Sequence, residues 1–311
     1  MPEKYLITHD GTFHADEVFS AAVLTFLFPD ATLLRSRKPE VLAMEGDVIM
    51  FDVGGIFDPA HGSFDHHQLD APVRDDGSNM SAFGQIWDHF GEAYLKEMAV
   101  SQEHWQAIFE AIRDRIVRPI DLSDTGDLAP GDFGPMASLS LPTMINDMNL
   151  PSCAKPYAQD RAFNRAVSLA GSFLEGRIAQ LEMKLEMRSL IIEAVLKCDG
   201  PILWLPEGGP FNRVIREAEA DHIQFVAYPR GSDWVLNGVR PDPQSYDLRL
   251  PLPQSWAGLV DEDLARETGV PDARFCHRAL FMAVAGSRAG ITALAEAALE
   301  QLPLHHPESS V

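Results

Sequence analysis

The sequence predicts a two-domain α/β protein, with a mainly parallel, helix-flanked sheet at the N-terminus and a smaller α+β domain behind it. Three observations carry this. Strand and helix patterns alternate from the start of the chain. The N-terminal strands read as continuous apolar runs, as in a sheet covered on both faces. From Gly200 onward, short strands between Gly and Pro turns replace the long helical stretches.

Tyr5-Leu6-Ile7-Thr8 is an apolar run ending in a polar loop, which reads as a first strand. From Ala15 to Phe28, apolar residues at Val18, Ala21, Ala22, Leu24 and Phe26 follow helical spacing until Pro29-Asp30 stops them. Thr32 to Arg35 and Val48 to Phe51 read as two further strands, and Gly54-Gly55 and Asp58-Pro59 as turns around a short hairpin-like segment. Ser81 to Met98 and Gln102 to Val117 are helical. In the second, Trp105, Ile108, Phe109, Ile112 and Ile116 share one face. Ala129 to Pro156, rich in Pro, Gly, Ser and Asn, reads as an irregular connection. Gln159 to Lys197 reads as a long helix with weak points at Gly171 and Gly176, of the kind that links domains or packs in a homo-oligomer. Strands are expected at 201–204, 223–228 and 234–239, and a closing helix at 291–301. The domains expected are therefore residues 1–198 and 199–311.

With 46% hydrophobic and 23% charged residues among 311, the chain has the composition of an ordinary globular protein. No apolar run approaches the roughly 20 residues that cross a bilayer, and the first residues lack the pattern of a signal or transit peptide. No membrane partner is expected. Cys153, Cys198 and Cys276 are odd in number and far apart, which suits a reducing, cytoplasmic setting and argues against a Cys–zinc site. The formal net charge of −21 argues against binding long duplex DNA, where phosphate neutralisation dominates affinity. It leaves room for a short oligonucleotide or a small phosphate ester.

The chemistry-bearing residues fall in four clusters, in this order: Thr8-His9-Asp10-Gly11-Thr12-Phe13-His14-Ala15-Asp16-Glu17; the lone acid Asp52 after Val48–Phe51; Asp65-His66-His67; and Asp121-Leu122-Ser123-Asp124. His9 and Asp52 sit at strand ends and Asp16 opens a helix. Ligands in open α/β sheets gather at the carboxyl ends of strands. Each cluster alone has an ordinary explanation: Asp16 as a helix-terminal acid, His14 as a capping residue, Asp121 and Asp124 as turn acids. Together they describe a two-metal hydrolytic centre. Mixed carboxylate and imidazole donors suit Mn²⁺ foremost, with Mg²⁺, Co²⁺ or Zn²⁺ as alternatives. Asp52, isolated at a strand end, is the natural carboxylate to bridge two cations. His61, His89, His104 and His222 lack companions and read as structural. His305-His306 reads as an exposed pair.

These residues resemble the DHH phosphoesterase superfamily, and more closely the melanocyte-proliferating-gene (MYG-type) family within it. The likeness extends over nearly the whole chain. It includes the 8–17 cluster, Asp52-Val53-Gly54-Gly55, Phe64-Asp65-His66-His67-Gln68, Arg249-Leu250-Pro251-Leu252-Pro253 and Phe275-Cys276-His277. The resemblance implies a DHH-type catalytic domain, a DHH-associated second domain and two divalent cations. His9, His14 and Asp52 would hold one cation; Asp16, Asp52, His66 and Asp124 would hold the other, with Asp121 as the alternative to Asp124. Asp65 would orient the His pair, and His67 would face the substrate. Arg249, His277 and Arg288 would contact phosphate from the second domain. The superfamily usually has Asp where this chain has His14, which removes one negative charge, and members of the family usually show paired glycines near Ala283-Val284, which this chain lacks. The implied activity is that of a metal-dependent phosphodiesterase, a 3′–5′ exonuclease on RNA or short oligonucleotides working by two-metal water activation. The alternatives are a phosphatase or pyrophosphatase on a small ester or nucleotide, and a non-catalytic metal-containing binding protein. No His-Glu-x-x-His helix or nucleophile elbow supports a peptidase.

Overall fold

The structure, a computed structural model, describes residues 4–242 and 245–300. Its contacts divide the chain into two compact units, one up to Glu182 and one from Met183. The sequence places its boundary at 198/199, the end of the long helix. The compact units meet in sequence inside that helix. The expected exposed pair His305-His306 lies outside the described residues.

The first unit contains β1 (Tyr5–Thr8), α1 (Ala15–Leu27), β2 (Thr32–Arg35), α2 (Pro39–Leu42), β3 (Val48–Phe51), β4 (Phe57–Asp58), β5 (Ser63–Phe64), α3 (Ala82–Glu97), α4 (Trp105–Ile112), α5 (Arg118–Asp124), α6 (Leu141–Asn146) and most of α7 (Pro156–Leu196). The sheet order is β2-β1-β3-β5-β4, parallel except for the β4–β5 pair. The mainly parallel sheet expected from the apolar runs is therefore present. Because β1, β3 and β5 run side by side in one direction, the loops leaving their carboxyl ends open on a single edge.

α1 is buried almost all round, from Ala15 to Leu24, so its apolar residues face both the sheet and other helices. Phe19 and Phe83 are fully buried and their rings lie 5.2 Å apart. Burying a side chain of this kind contributes about 1.5–3 kcal/mol. The helix expected over Gln102–Val117 is interrupted. α4 ends at Ile112, a π-helical stretch spans Arg113–Val117, and α5 follows. Pro119 has no N–H to donate to the carbonyl one turn earlier. The wider turn, in which Arg118 N–H donates to the Arg113 carbonyl, takes up the mismatch. The stretch expected to be irregular, Ala129–Pro156, contains a 3₁₀ segment over Pro130–Leu139 and the short helix α6. α7 runs through Gly171 and Gly176 without a break. A Cβ at Gly171 would lie 4.0 Å from that of Ala22, so this glycine faces α1.

The second unit contains β6 (Ile202–Trp204), α8 (Phe211–Glu217), β7 (Phe225–Arg230), β8 (Asp233–Gly238), α9 (Asp261–Thr268), β9 (Ala273–Cys276), β10 (Met282–Ala285) and α10 (Arg288–Leu299). Its sheet, β6-β7-β8-β10-β9, is parallel only between β6 and β7. Successive strand residues point to opposite faces. Phe225 and Ala227 join a core with Leu264 and Leu294, and Val226 joins another with Ile191, Val214 and Ile215. Two layers of helix thus sandwich the sheet, an α+β arrangement as expected. Among the described residues no helix is long and apolar enough to cross a membrane.

Candidate metal centre

Three strands of the first unit each hand over a donor at their carboxyl end. His9 follows Thr8, Asp52 follows Phe51, and Asp65-His66-His67 follows Phe64. The register that makes this possible is short and firm: Phe51 pairs with Phe64, and Asp52 N–H donates to the Phe64 carbonyl at 2.9 Å. Asp52 itself has φ of +54°. Few residues besides glycine accept this left-handed conformation, and Asp and Asn are among them. The turn aims the Asp52 carboxylate across the strand ends.

That carboxylate is shared. Its Oδ2 lies 3.0 Å from His9 Nε2, and its Oδ1 lies 3.2 Å from His66 Nε2. On the His9 side, Nε2 also meets Glu17 Oε1 at 3.0 Å, and Glu17 Oε2 accepts the His14 N–H at 2.9 Å. On the His66 side, Nε2 lies 3.3 Å from Asp124 Oδ2 and 3.9 Å from Asp16 Oδ2. His9, His14 and Glu17 offer donor atoms within 4.8 Å of one another, and so do His14, Asp16 and Asp124. The structure thus brings His9, His14, Asp16, Asp52, His66 and Asp124 together. It adds Glu17, which the sequence reading passes over.

The electrostatics separate the acids. Burial would raise the Asp52 carboxyl, but the hydrogen bonds and charges of His66 and His9 outweigh it and hold the group well below the usual carboxylate range. Burial would likewise lower His9, yet Asp52 and Glu17 hold it up at about 10. His66 is shifted upward in the same way by Asp52 and Asp124. Asp16 has no such help. It is fully buried, and burial followed by the charges of Asp52, Asp124 and Glu17 drives its carboxyl well above the ordinary value. Both Asp16 oxygens lack a hydrogen-bond partner. A buried acid with unmet oxygens beside three other carboxylates is costly unless a cation completes it. This cluster of carboxylate oxygens and imidazole nitrogens fits divalent cations.

Asp65 is buried and accepts from four donors: Gly55 N–H at 2.6 Å, His66 N–H at 2.7 Å, His67 N–H at 3.2 Å and His67 Nδ1 at 2.7 Å. It therefore sets the turn that presents both histidines. The His67 side chain is 64% exposed, with Nδ1 held by Asp65, which leaves Nε2 for a ligand.

Asp121, kept open against Asp124 on sequence, belongs elsewhere. It lies in α5 one turn before Asp124, and its carboxylate turns to the start of α3. There Oδ1 accepts from Ser81 Oγ at 2.6 Å, Ser81 N–H at 3.2 Å and Gly84 N–H at 3.1 Å, and Oδ2 pairs with Arg74 at 2.5 Å. A Cβ at position 84 would sit 2.6 Å from Asp121 Oδ2, so glycine makes this approach possible. Burial raises the Asp121 carboxyl to about 6, with Ser81 and Arg74 pulling the other way. Asp121 is an anchor, and Asp124 alone of the two reaches His66.

The second-unit candidates are held within that unit. Arg249 Nη1 donates to the carbonyls of Ala220 at 2.8 Å and Ile223 at 3.0 Å, and Nη2 pairs with Asp221 at 2.9 Å. These contacts brace the turn before β7. His277 Nδ1 accepts from Ala279 N–H at 3.0 Å, and its ring lies 4.3 Å from Phe281. The Arg288 guanidinium lies over Trp204 and Trp234, at 4.6 and 5.8 Å.

Around the first-unit donors lies a cavity of about 530 Å³. The chain is similar to a MYG1 protein of Schizosaccharomyces pombe, with 31% identity over 95% of this chain and 97% of that protein. It is also similar to a MYG1 exonuclease of Homo sapiens, with 30% identity over 94% of this chain and 85% of that protein. Among solved structures, the exonuclease RecJ bound to manganese aligns at 13% identity with a TM-score of 0.26, covering 96% of this chain and 91% of that one. A family model named MYG1_exonuc, described as an uncharacterised protein family (UPF0160), matches residues 5–299, and the chain belongs to this family.

Proposed function

We propose that the chain is a metal-dependent phosphodiesterase that removes nucleotides from the 3′ end of RNA or short oligonucleotides. The observation that carries this reading is the Asp52 carboxylate, one oxygen on His9 and the other on His66, between two groups of donors. The name exonuclease carried by the human relative supports it.

His9, His14, Glu17 and Asp52 would hold one divalent cation, and Asp16, Asp52, His66 and Asp124 the other. Bound there, two cations supply Lewis acidity: they lower the pKa of water and stabilise charge on the attacking and leaving oxygens. The chain's own residues do the rest. The strand ends and the Asp52 turn fix the donors before any substrate arrives. Asp65 holds His67 by Nδ1, so Nε2 is set to donate to a phosphate oxygen or to protonate the leaving oxygen.

The test is release of mononucleotides from a short RNA, labelled at either end to read direction, with Mn²⁺, Mg²⁺ or Co²⁺. No release with any of them would sink the reading. A small phosphate ester or nucleotide is the second reading, favoured by the net charge of −21. Phosphate release from a nucleotide panel, without shortening of RNA, would select it.

A further inference from the structure

Two further cavities share lining residues with the one that holds the metal-binding donors, and their chemistry differs. One, of about 380 Å³, shares His14 and Asp124 with it and is lined further by Ile120, Pro142, Thr143 and Asn146, with no lysine or arginine. The other, of about 660 Å³, shares Arg37 and carries Arg35, Arg37 and Lys38 against the acids Asp10 and Asp160. In a chain with a net charge of −21, a hollow with a cationic surplus beside the most acidic cluster is a specific arrangement.

The three cations are not equivalent. Arg35 is spent inside the fold. Nη1 pairs with Asp160 at 3.0 Å, Nη2 donates to the Gly11 carbonyl at 2.7 Å, and the guanidinium stacks over Phe163 at 4.4 Å. Its side chain is 4% exposed. Arg37 is exposed and held through Nη1 alone, by the Asp10 carbonyl and carboxylate. Its side chain is 58% exposed, and among the described residues it is the one arginine or lysine lining the metal cavity. Lys38 is exposed, and its ammonium makes no ion pair among the described residues.

A phosphodiester entering a site lined by Asp52 and Asp124 needs positive charge, and a strand with further phosphates needs it again one nucleotide on. We infer that Arg37 and Lys38 form a subsite, within the first unit, for the backbone phosphate next to the one being cleaved. Arg37, held by Asp10, lines both cavities. This deepens the exonuclease reading and rests on it for the location of the scissile phosphate. It makes the preferred substrate an oligonucleotide with at least two backbone phosphates rather than a single phosphate ester.

The experiment measures binding of a fluorescein-labelled RNA pentamer with phosphorothioate linkages, which resist cleavage, by anisotropy in Mn²⁺ and across a salt series, with the full chain. Arg37→Gln/Lys38→Gln should weaken binding about tenfold or more and flatten the salt slope by roughly 0.7 per lost phosphate contact on a single strand. Arg37→Lys with Lys38 intact should restore the slope, whereas Lys96→Gln, exposed in the last turn of α3 and lining neither cavity, should change neither. Thermal midpoints confirm that each variant is folded. Affinity and slope of the double variant within twofold of wild type overturn the subsite, and so does a wild-type chain that does not bind the pentamer. Binding that depends on Arg37 and Lys38, without nucleotide release under any metal, leaves the subsite standing and removes the exonuclease reading instead.

Discussion

The two units treat their candidate residues in opposite ways. In the first, acids and imidazoles converge from three strand ends and two helices, and one fully buried acid, Asp16, is left with both oxygens unmet. In the second, Arg249 spends its guanidinium on two backbone carbonyls and Asp221, and Arg288 lies on two tryptophans. A charged side chain whose bonds are all met locally holds a fold together. One that is buried and unmet is waiting for something that is not protein. The contrast is therefore between a region built for stability and one whose stability is spent on a ligand.

The comparison breaks first at Asp52. Asp52→Asn keeps a residue that accepts the left-handed turn but removes the shared charge. Activity on short RNA should fall by more than the 10–100-fold typical of losing a supporting partner, and calorimetry should show Mn²⁺ binding abolished. Retained activity would leave the cluster without a catalytic role. Next in size is Asp121→Ala, which strands Arg74 and the start of α3. Losing one member of a buried pair costs about 3–5 kcal/mol, to be read from urea denaturation, with bound metal per folded chain unchanged.

Metal loading sharpens the same contrast. Mn²⁺ at about a hundred times its Kd should stabilise the wild type by about 2.7 kcal/mol. Asp16→Asn should raise the stability of the metal-free chain and lose most of that increment. The metal-free chain should also respond to pH through His9. Its imidazole is raised from 6.5 to about 10 in the folded state, so its contribution is full below about pH 6.5 and is lost as pH rises through about 10. Urea midpoints in EDTA should fall across that window, and fall less with Mn²⁺ present, where a cation stands in for the proton. The smallest effect is expected in the second unit. Arg249→Ala should cost roughly 1–3 kcal/mol by unpairing two carbonyls, with Mn²⁺ affinity unchanged. A larger effect on metal binding than on stability would reverse its assignment.

Much of this contrast is legible in the sequence because strand ends announce themselves. His9 and Asp52 each follow an apolar run directly, and parallel pairing then places them on one edge, whereas Asp65 follows only the two-residue strand Ser63–Phe64. Glu17 is not legible, since an acid in the first turn of a helix is commonplace for dipole reasons and Asp16 beside it already fills the pattern. Asp121 and Asp124 stand one helical turn apart on neighbouring faces, and spacing alone does not separate them. Ser81, Gly84 and Arg74 decide between them, and all three are distant in sequence. β4 and β5 are two residues each, below any useful periodicity. The interruption between α4 and α5 is readable in hindsight from Pro119. In the second unit, arginines look alike on paper, whether they meet a phosphate or, as Arg249 does, their own backbone.

The short pairings of β1, β3 and β5 have a consequence for how this chain tolerates change. β1 and β3 deliver His9 and Asp52 in the residue immediately after the last paired position, and β5 delivers His66 two residues after its own, so donor placement comes in steps of one residue, about 3.3 Å along the strand. A single insertion within Val48–Phe51 would carry Asp52 a whole step past His9 and His66 and swing its carboxylate to the opposite side of the sheet. In these three four-residue-or-shorter strands, one added or deleted residue removes the centre outright.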